Sequence, residues 1–151
     1  EAEIKLDNLS QCLEDSFQLY YNSRKDIKLT HIKNENDIYF QFDKLQISRC
    51  FNNLIKNALE AVEKIPNPVV EVKIYNNNKN IIIEIKDNGV GIEDKMISKI
   101  FEPYFTTKSK GTGLGLSIVK RIIEDHGGKI KIEKNKNMAD TTSLIIFDSN
   151  A

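Results

Sequence analysis

The residue types with chemical potential crowd into one stretch. Residues 87–92 read Asp-Asn-Gly-Val-Gly-Ile, residues 101–108 read Phe-Glu-Pro-Tyr-Phe-Thr-Thr-Lys, and residues 111–116 read Gly-Thr-Gly-Leu-Gly-Leu. Five of the seven glycines fall here, and the other two are Gly127 and Gly128. Glycine lets a backbone turn through positive φ and approach a ligand closely. Two such turns with a Thr- and Lys-rich loop between them describe a phosphate-binding pocket with a movable cover.

Two common nucleotide fingerprints do not fit. The dinucleotide pattern needs G-x-G-x-x-G after a strand. Gly111, Gly113 and Gly115 give G-x-G-x-G, and Leu116 stands in the final place. The P-loop needs a Gly-Lys pair followed by Ser or Thr, but Gly128-Lys129 is followed by Ile130. A nucleotide site here is of a third type.

The elements around this stretch can be read from periodicity. Leu6, Leu9, Leu13, Phe17 and Tyr20 predict a helix over 5–22. Ile27–Ile32 and Asp37–Phe42 read as two strands around the turn 33–36. His31 lies in the first of these and reads as structural, with no partner motif near it in sequence. Asp43 then caps a long helix to about Lys64, with Ile47, Phe51, Leu54, Ala58, Val62 and Ile65 on its apolar stripe. Asn53, Asn57 and Glu60 share the other face. Asn is a mediocre helix former, so two of them one turn apart are either a solvated face or a site.

Pro66 and Pro68 stop that helix. Residues 69–75 and 80–85 read as a strand hairpin dense in β-branched residues. Asn88-Gly89 is a strong hairpin signal, but no alternating strand follows, so the loop leaves the sheet. Few side chains in 103–113 can enter a core. Helical spacing returns from Leu114 to His126, through Leu116, Ile118, Val119, Ile122 and Ile123, and Gly127-Gly128 ends the helix with a left-handed cap. His126 in its last turn reads as structural. Lys129–Lys134 and Thr141–Phe147 are the final strands. The expected fold is α+β: an antiparallel-rich sheet with helices packed on one face.

The chain has 151 residues, suiting a single domain over 1–151, and no net charge. Zero net charge gives no global pull toward nucleic acid or an anionic membrane. Cys12 and Cys50 read as buried, reduced thiols of an intracellular protein. No apolar run approaches the ~20 residues of a spanning helix. The chain begins with Glu1 rather than Met and reads as a fragment of a longer protein.

Four motifs now stand in order. Asn53-Leu-Ile-Lys-Asn57-Ala resembles an N box, and Asp87-x-Gly89-x-Gly91 a first glycine box. Phe101-Glu-Pro-Tyr-Phe105 resembles an F box, and Gly111-Thr-Gly-Leu-Gly-Leu116 a second glycine box. Together, over about residues 43–144, they resemble the ATP-binding catalytic domain of bacterial sensor histidine kinases, in the superfamily shared with gyrase, the Hsp90 chaperone and MutL. The wording around Asn57-Ala-Leu-Glu-Ala61 and Phe105-Thr-Thr-Lys108 is most similar to the nitrogen-regulation type.

That resemblance implies a two-layer α/β sandwich with a mobile ATP lid over 103–113. It implies Asp87 as acceptor from the adenine amino group, since an ionised carboxylate only accepts. Asn57 would hold Mg²⁺ through its amide oxygen, the rest of the shell being phosphate and water. Asn53 and Asn57 are the candidate catalytic residues. Gly89, Gly91 and Ile92 would lie along base and ribose. Gly111, Thr112, Gly113, Leu114, Gly115 and Leu116 would lie along the phosphates at a helix N-terminus. Lys56 and Lys108 would meet phosphate, and Phe105, with Phe101, would anchor the lid. Gyrase-like relatives carry a glutamate one turn before the metal-binding Asn. Asn53 stands there instead, so the site should present ATP without hydrolysing it efficiently.

The implied function is transfer of the γ-phosphoryl of MgATP to a histidine on an adjoining dimerisation and phosphoacceptor domain, with a response regulator downstream. No helical His-Glu-x-x-x-Pro box occurs in the chain, so this piece alone should not autophosphorylate. The parent is expected to be a homodimer and this piece a cytoplasmic monomer, with a membrane-anchored sensor as one form of the parent. Asp140-Thr141-Thr142 stands where the family's third glycine box has Gly-Thr, which leaves Thr141 as the phosphate contact of that box. Two other readings stay open: an anti-sigma-factor-type serine kinase of the same superfamily, and a degenerate partner-binding module. ATP binding separates the last from the first two.

Overall fold

A computed structural model describes residues 1–105, 115–134 and 140–149. In chain order these form β1 (Lys5–Asn8), α1 (Leu9–Tyr21), β2 (Lys28–Ile32), β3 (Tyr39–Phe42) and α2 (Lys44–Ala61). Then come β4 (Val69–Asn76), β5 (Asn80–Asp87), the single-turn α3 (Asp94–Ile97), α4 (Gly115–Asp125), β6 (Lys129–Lys134) and β7 (Thr141–Asp148). The main sheet has five strands in the order β2-β4-β5-β7-β6. β2 runs parallel to β4, and the other pairs are antiparallel. α1, α2 and α4 cover one face, giving the two-layer α+β sandwich expected.

Period-two patterning explains the sheet. Val70, Val72 and Ile74 of β4 and Ile81, Ile83 and Ile85 of β5 are all but fully buried, with their in-between neighbours half-exposed. One face therefore meets helices, and β-branched side chains suit it. α2 lies across the middle, burying Ile47, Cys50, Phe51, Leu54, Ile55, Ala58 and Leu59. Phe51 has no exposed surface, and its loss should cost about 3–5 kcal/mol. Asp43 caps α2 as expected, its Oδ1 accepting from Gln46 N–H at 3.0 Å.

Two expectations need correction. Residues 5–8 are strand rather than the start of a helix. Asn8 caps α1 from its β-region backbone, its side chain accepting from Gln11 N–H, and Leu6 is 65% exposed. The helical spacing of Leu6 was coincidence. Nor do the strands around 33–36 form a hairpin: β2 joins the main sheet beside β4, while β3 pairs with β1 in a separate two-stranded ribbon. Non-local pairing set both outcomes.

His31 is structural, as expected. Its Nδ1 lies 2.6 Å from Glu14 Oε2, holding β2 to α1, and its ring packs 5.0 Å from that of Phe17. Cys12 and Cys50 are buried free thiols, and burial pushes Cys50 up to about 12.

Candidate functional site

The site begins at the C-terminal end of β5, where Asp87 is the last strand residue. Alternation turns its side chain inward, and it is only 6% exposed. Its Oδ1 accepts from Gly89 N–H at 2.9 Å. Burial is the main cause that raises its pKa to about 6; Gly89 N–H opposes the rise and the nearby Asp140 carboxylate adds to it. A buried carboxylate with a raised pKa beside a glycine turn is a candidate site group.

The loop after Asp87 is clamped from three sides. Asn88 Oδ1 accepts from Val69 N–H at 2.8 Å, and Asn88 Nδ2 donates to Asn67 O at 3.0 Å. Val90 N–H donates to Ala61 O at the end of α2. Gly89 passes so close to that helix end that a Cβ would lie 2.5 Å from Ala61 O and 2.7 Å from Asp87 Oδ1. Any side chain there forces the loop or the helix end to shift. Gly91 has φ 75°, the left-handed region that glycine suits. Beyond it, Ile92 O accepts from Lys134 Nζ at 3.5 Å, and Lys134 pairs with Asp94 at 2.8 Å. The first glycine box is thus pinned to α2, β4 and β6.

Across the sheet, Thr141 of β7 stands in register opposite Asp87. Thr141 is buried, and its Oγ1 has no hydrogen-bond partner among the described residues. Asp140, also buried, lies 3.7 Å from Lys86 Nζ. The site therefore offers a buried acceptor and an unsatisfied hydroxyl side by side.

The other end is built by α2 and α4. Asn57 Nδ2 donates to Asn53 Oδ1 at 3.1 Å. Gly115, the first residue of α4, packs against Asn53: a Cβ there would fall 2.7 Å from Asn53 Nδ2. The N-terminus of α4, which favours negative charge, thus meets the two-asparagine face. Leu116 is half-buried against the core. Lys56 is exposed and, with Asn53, Asn52, Arg49, Ser48, Leu45 and Tyr20, lines a cleft of about 390 Å³. Phe101 and Phe105 are half-buried, and Lys120 of α4 sits over the Phe101 ring at 5.5 Å. Lys108, Gly111, Thr112, Gly113 and Leu114 lie outside the described residues.

Sequence reasoning missed the clamping role of Asn88, the carbonyl of Ala61 and the pairing of Thr141 with Asp87. All three are contacts between residues far apart in the chain. The one available signal was Asn88 beside Gly89, which reads equally well as a turn.

Fold and site together define a two-layer α/β nucleotide-binding domain. A family model described as histidine kinase-, DNA gyrase B-, and HSP90-like ATPase matches residues 42–149. Nitrogen regulation protein NtrY of Azorhizobium caulinodans is 40% identical over 97 residues, 61% of this chain and 13% of that protein. Sensor histidine kinase ZraS of Salmonella typhi is 37% identical over 128 residues, 83% of this chain and 27% of that protein. The solved catalytic domain of histidine kinase ThkA superposes with a TM-score of 0.85 at 30% identity, covering 97% of this chain and 96% of that one. The chain belongs to the histidine kinase-, DNA gyrase B- and HSP90-like ATPase family, as a domain of the histidine-kinase catalytic type. It spans 13% to 27% of the length of the two curated relatives named here. Among the described residues no helix is long and apolar enough to cross a membrane.

Proposed function

We propose that this chain binds MgATP and presents its γ-phosphoryl group to a histidine on an adjoining dimerisation and phosphoacceptor domain, in two-component signalling. The observation that carries the reading is the buried Asp87 carboxylate beside a glycine that tolerates no side chain. Asp87 accepts from the adenine amino group; guanine shows a carbonyl at that edge and is refused. The orphaned Thr141 hydroxyl serves the same base, directly or through a water. Its register opposite Asp87 favours the base end over the phosphate contact expected from sequence.

Gly111, Thr112, Gly113, Leu114 and Gly115 approach the phosphates, with Lys108 and Lys56 as cationic partners, and Leu116 seats the helix that follows. Gly91 and Ile92 border the ribose, and Phe105 anchors the lid. Among the described residues no group of three or more His, Cys, Asp and Glu could hold a metal ion. Asn57 would hold Mg²⁺ through its amide oxygen, with phosphate and water completing the shell, and the ion would supply charge neutralisation for phosphoryl transfer. Asn53 cannot take a proton from water at neutral pH, so hydrolysis is slow. A histidine acceptor supplies its own nucleophilic nitrogen. ThkA is known in complex with the response regulator TrrA, which supports a response regulator as the next partner here.

The test mixes the chain with the parent's phosphoacceptor domain and γ-labelled ATP. Label on a histidine of the acceptor, absent with Asn57→Ala, is expected. Label on a serine of a partner would favour the serine-kinase alternative. No label, with ATP bound, would contradict phosphoryl transfer.

A further inference from the structure

His126 closes α4 at the end opposite the nucleotide site, and it is 8% exposed. Its Nδ1 lies 2.7 Å from Ile122 O. A carbonyl only accepts, so Nδ1 carries the proton. Its Nε2 accepts from Asp43 N–H at 3.0 Å, across 83 residues of sequence. Both ring nitrogens are committed, and one tautomer is selected. The ring cannot drift, because Gly127 turns the chain at φ 76° and Gly128 N–H donates to Ile123 O. A Cβ on Gly128 would lie 2.6 Å from the Phe147 ring.

Asp43 carries the contact onward. Its Oδ1 caps α2, and its Oδ2 accepts from Glu3 N–H at 2.7 Å. Glu3 leads into β1, which pairs with β3, the strand that ends at Phe42 beside Asp43. The N-terminal segment, the start of α2 and the end of α4 therefore converge on one carboxylate and one imidazole. The other end of α4, ~16 Å away over its 11 residues, begins at Gly115 against Asn53.

We propose that His126 is a positioning residue that couples the nucleotide end of α4 to the N-terminal segment, through Asp43 and Glu3. A shift of α4 at Gly115 is passed along a rigid helix to the imidazole, then to the Asp43 backbone, whose carboxylate holds Glu3. The coupling is reciprocal, so a pull on the N-terminal segment returns to the nucleotide. The proposal deepens the nucleotide reading and rests on it for the ligand that moves α4.

Backbone-amide NMR on the chain tests it, following exchange at Glu3 and Asp43 with His126 unaltered, His126→Phe, His126→Asn and His126→Gln. Phe fills the ring's space and removes both bonds. Asn can replace Nδ1 but lacks the Nε2 acceptor, and it carries the test should Phe fail to fold. Gln keeps a donor and an acceptor side by side. The far end of α4 is perturbed by saturating ATP and, separately, by Gly115→Ala. Each perturbation should change Glu3 exchange about fivefold or more with His126 or Gln, and less than about twofold with Phe or Asn. A Glu3 response that persists in Phe and Asn, or that Gly115→Ala fails to produce with His126 intact, overturns the proposal. Failure of ATP to bind, read by calorimetry, sinks the nucleotide reading instead, and the Gly115→Ala arm still decides the role of His126.

Discussion

Asp87 and Thr141 face each other across β5 and β7, both buried: one a carboxylate whose pKa burial raises, the other a hydroxyl without a partner among the described residues. Neither arrangement favours the empty fold. On the proposed reading, a purine completes the hydrogen bonding of both.

Asp87 gives a pH prediction of unusual sign. Its folded pKa of about 6 lies above its ordinary value, 3.8, so the native state binds more protons than the unfolded one between those limits. Asp87 should therefore lower stability as pH rises from about 4 to about 6, with the full cost, on the order of 3 kcal/mol, present at neutral pH. Asp87→Asn keeps an acceptor for Gly89 and removes that charge. It should melt higher than the unaltered domain at pH 7 yet bind ATP at least tenfold more weakly. ATP affinity of the unaltered domain should fall as pH drops through about 6. A variant that melts lower at pH 7 would contradict the assignment of a costly buried charge.

Thr141→Val separates stability from binding in the same way. The hydroxyl it removes has no partner among the described residues, so stability should hold or rise by about 1 kcal/mol. ATP affinity should fall about three- to tenfold, the worth of one hydrogen bond. Thermal melting and calorimetry on one preparation check both.

Much of this was legible in the sequence. Glycine spacing, the Asn53–Asn57 repeat and Asp87 just past a strand pointed to the candidate site, because those features are local. The apolar stripe of α2 and the alternation in β4 and β5 gave the two layers for the same reason. What escaped was long-range. Leu6 fits a helical stripe, yet its strand pairs with residues 39–42. Ile27–Ile32 reads as half of a hairpin, yet β2 takes Val69–Lys73 as its parallel partner. Asn88, Thr141 and His126 owe their roles to partners 19, 54 and 83 residues away, which no local pattern encodes.

Gly89→Ala tests the close approach of loop and helix. Its Cβ would lie 2.5 Å from a backbone carbonyl, which cannot rotate aside. A loss of about 1–3 kcal/mol in stability is expected from the overpacking, with ATP binding lost as Asp87 is displaced. A melting temperature unchanged from the unaltered domain would show that the α2 terminus yields more readily than its packing implies.

Asn57→Ala addresses the metal. If its amide oxygen holds Mg²⁺, the variant should bind ATP in the absence of metal as the unaltered domain does, and should lose the strengthening that Mg²⁺ brings. Equal Mg²⁺ enhancement in both proteins would move the metal contact elsewhere.

On the proposed reading this pocket selects MgATP. Calorimetric titration of the chain with ATP and with GTP, each with and without Mg²⁺, tests it most directly. Binding of ATP, strengthened by Mg²⁺, is expected, with GTP at least tenfold weaker. No ATP binding by a folded chain, or equal affinity for both nucleotides, would contradict it.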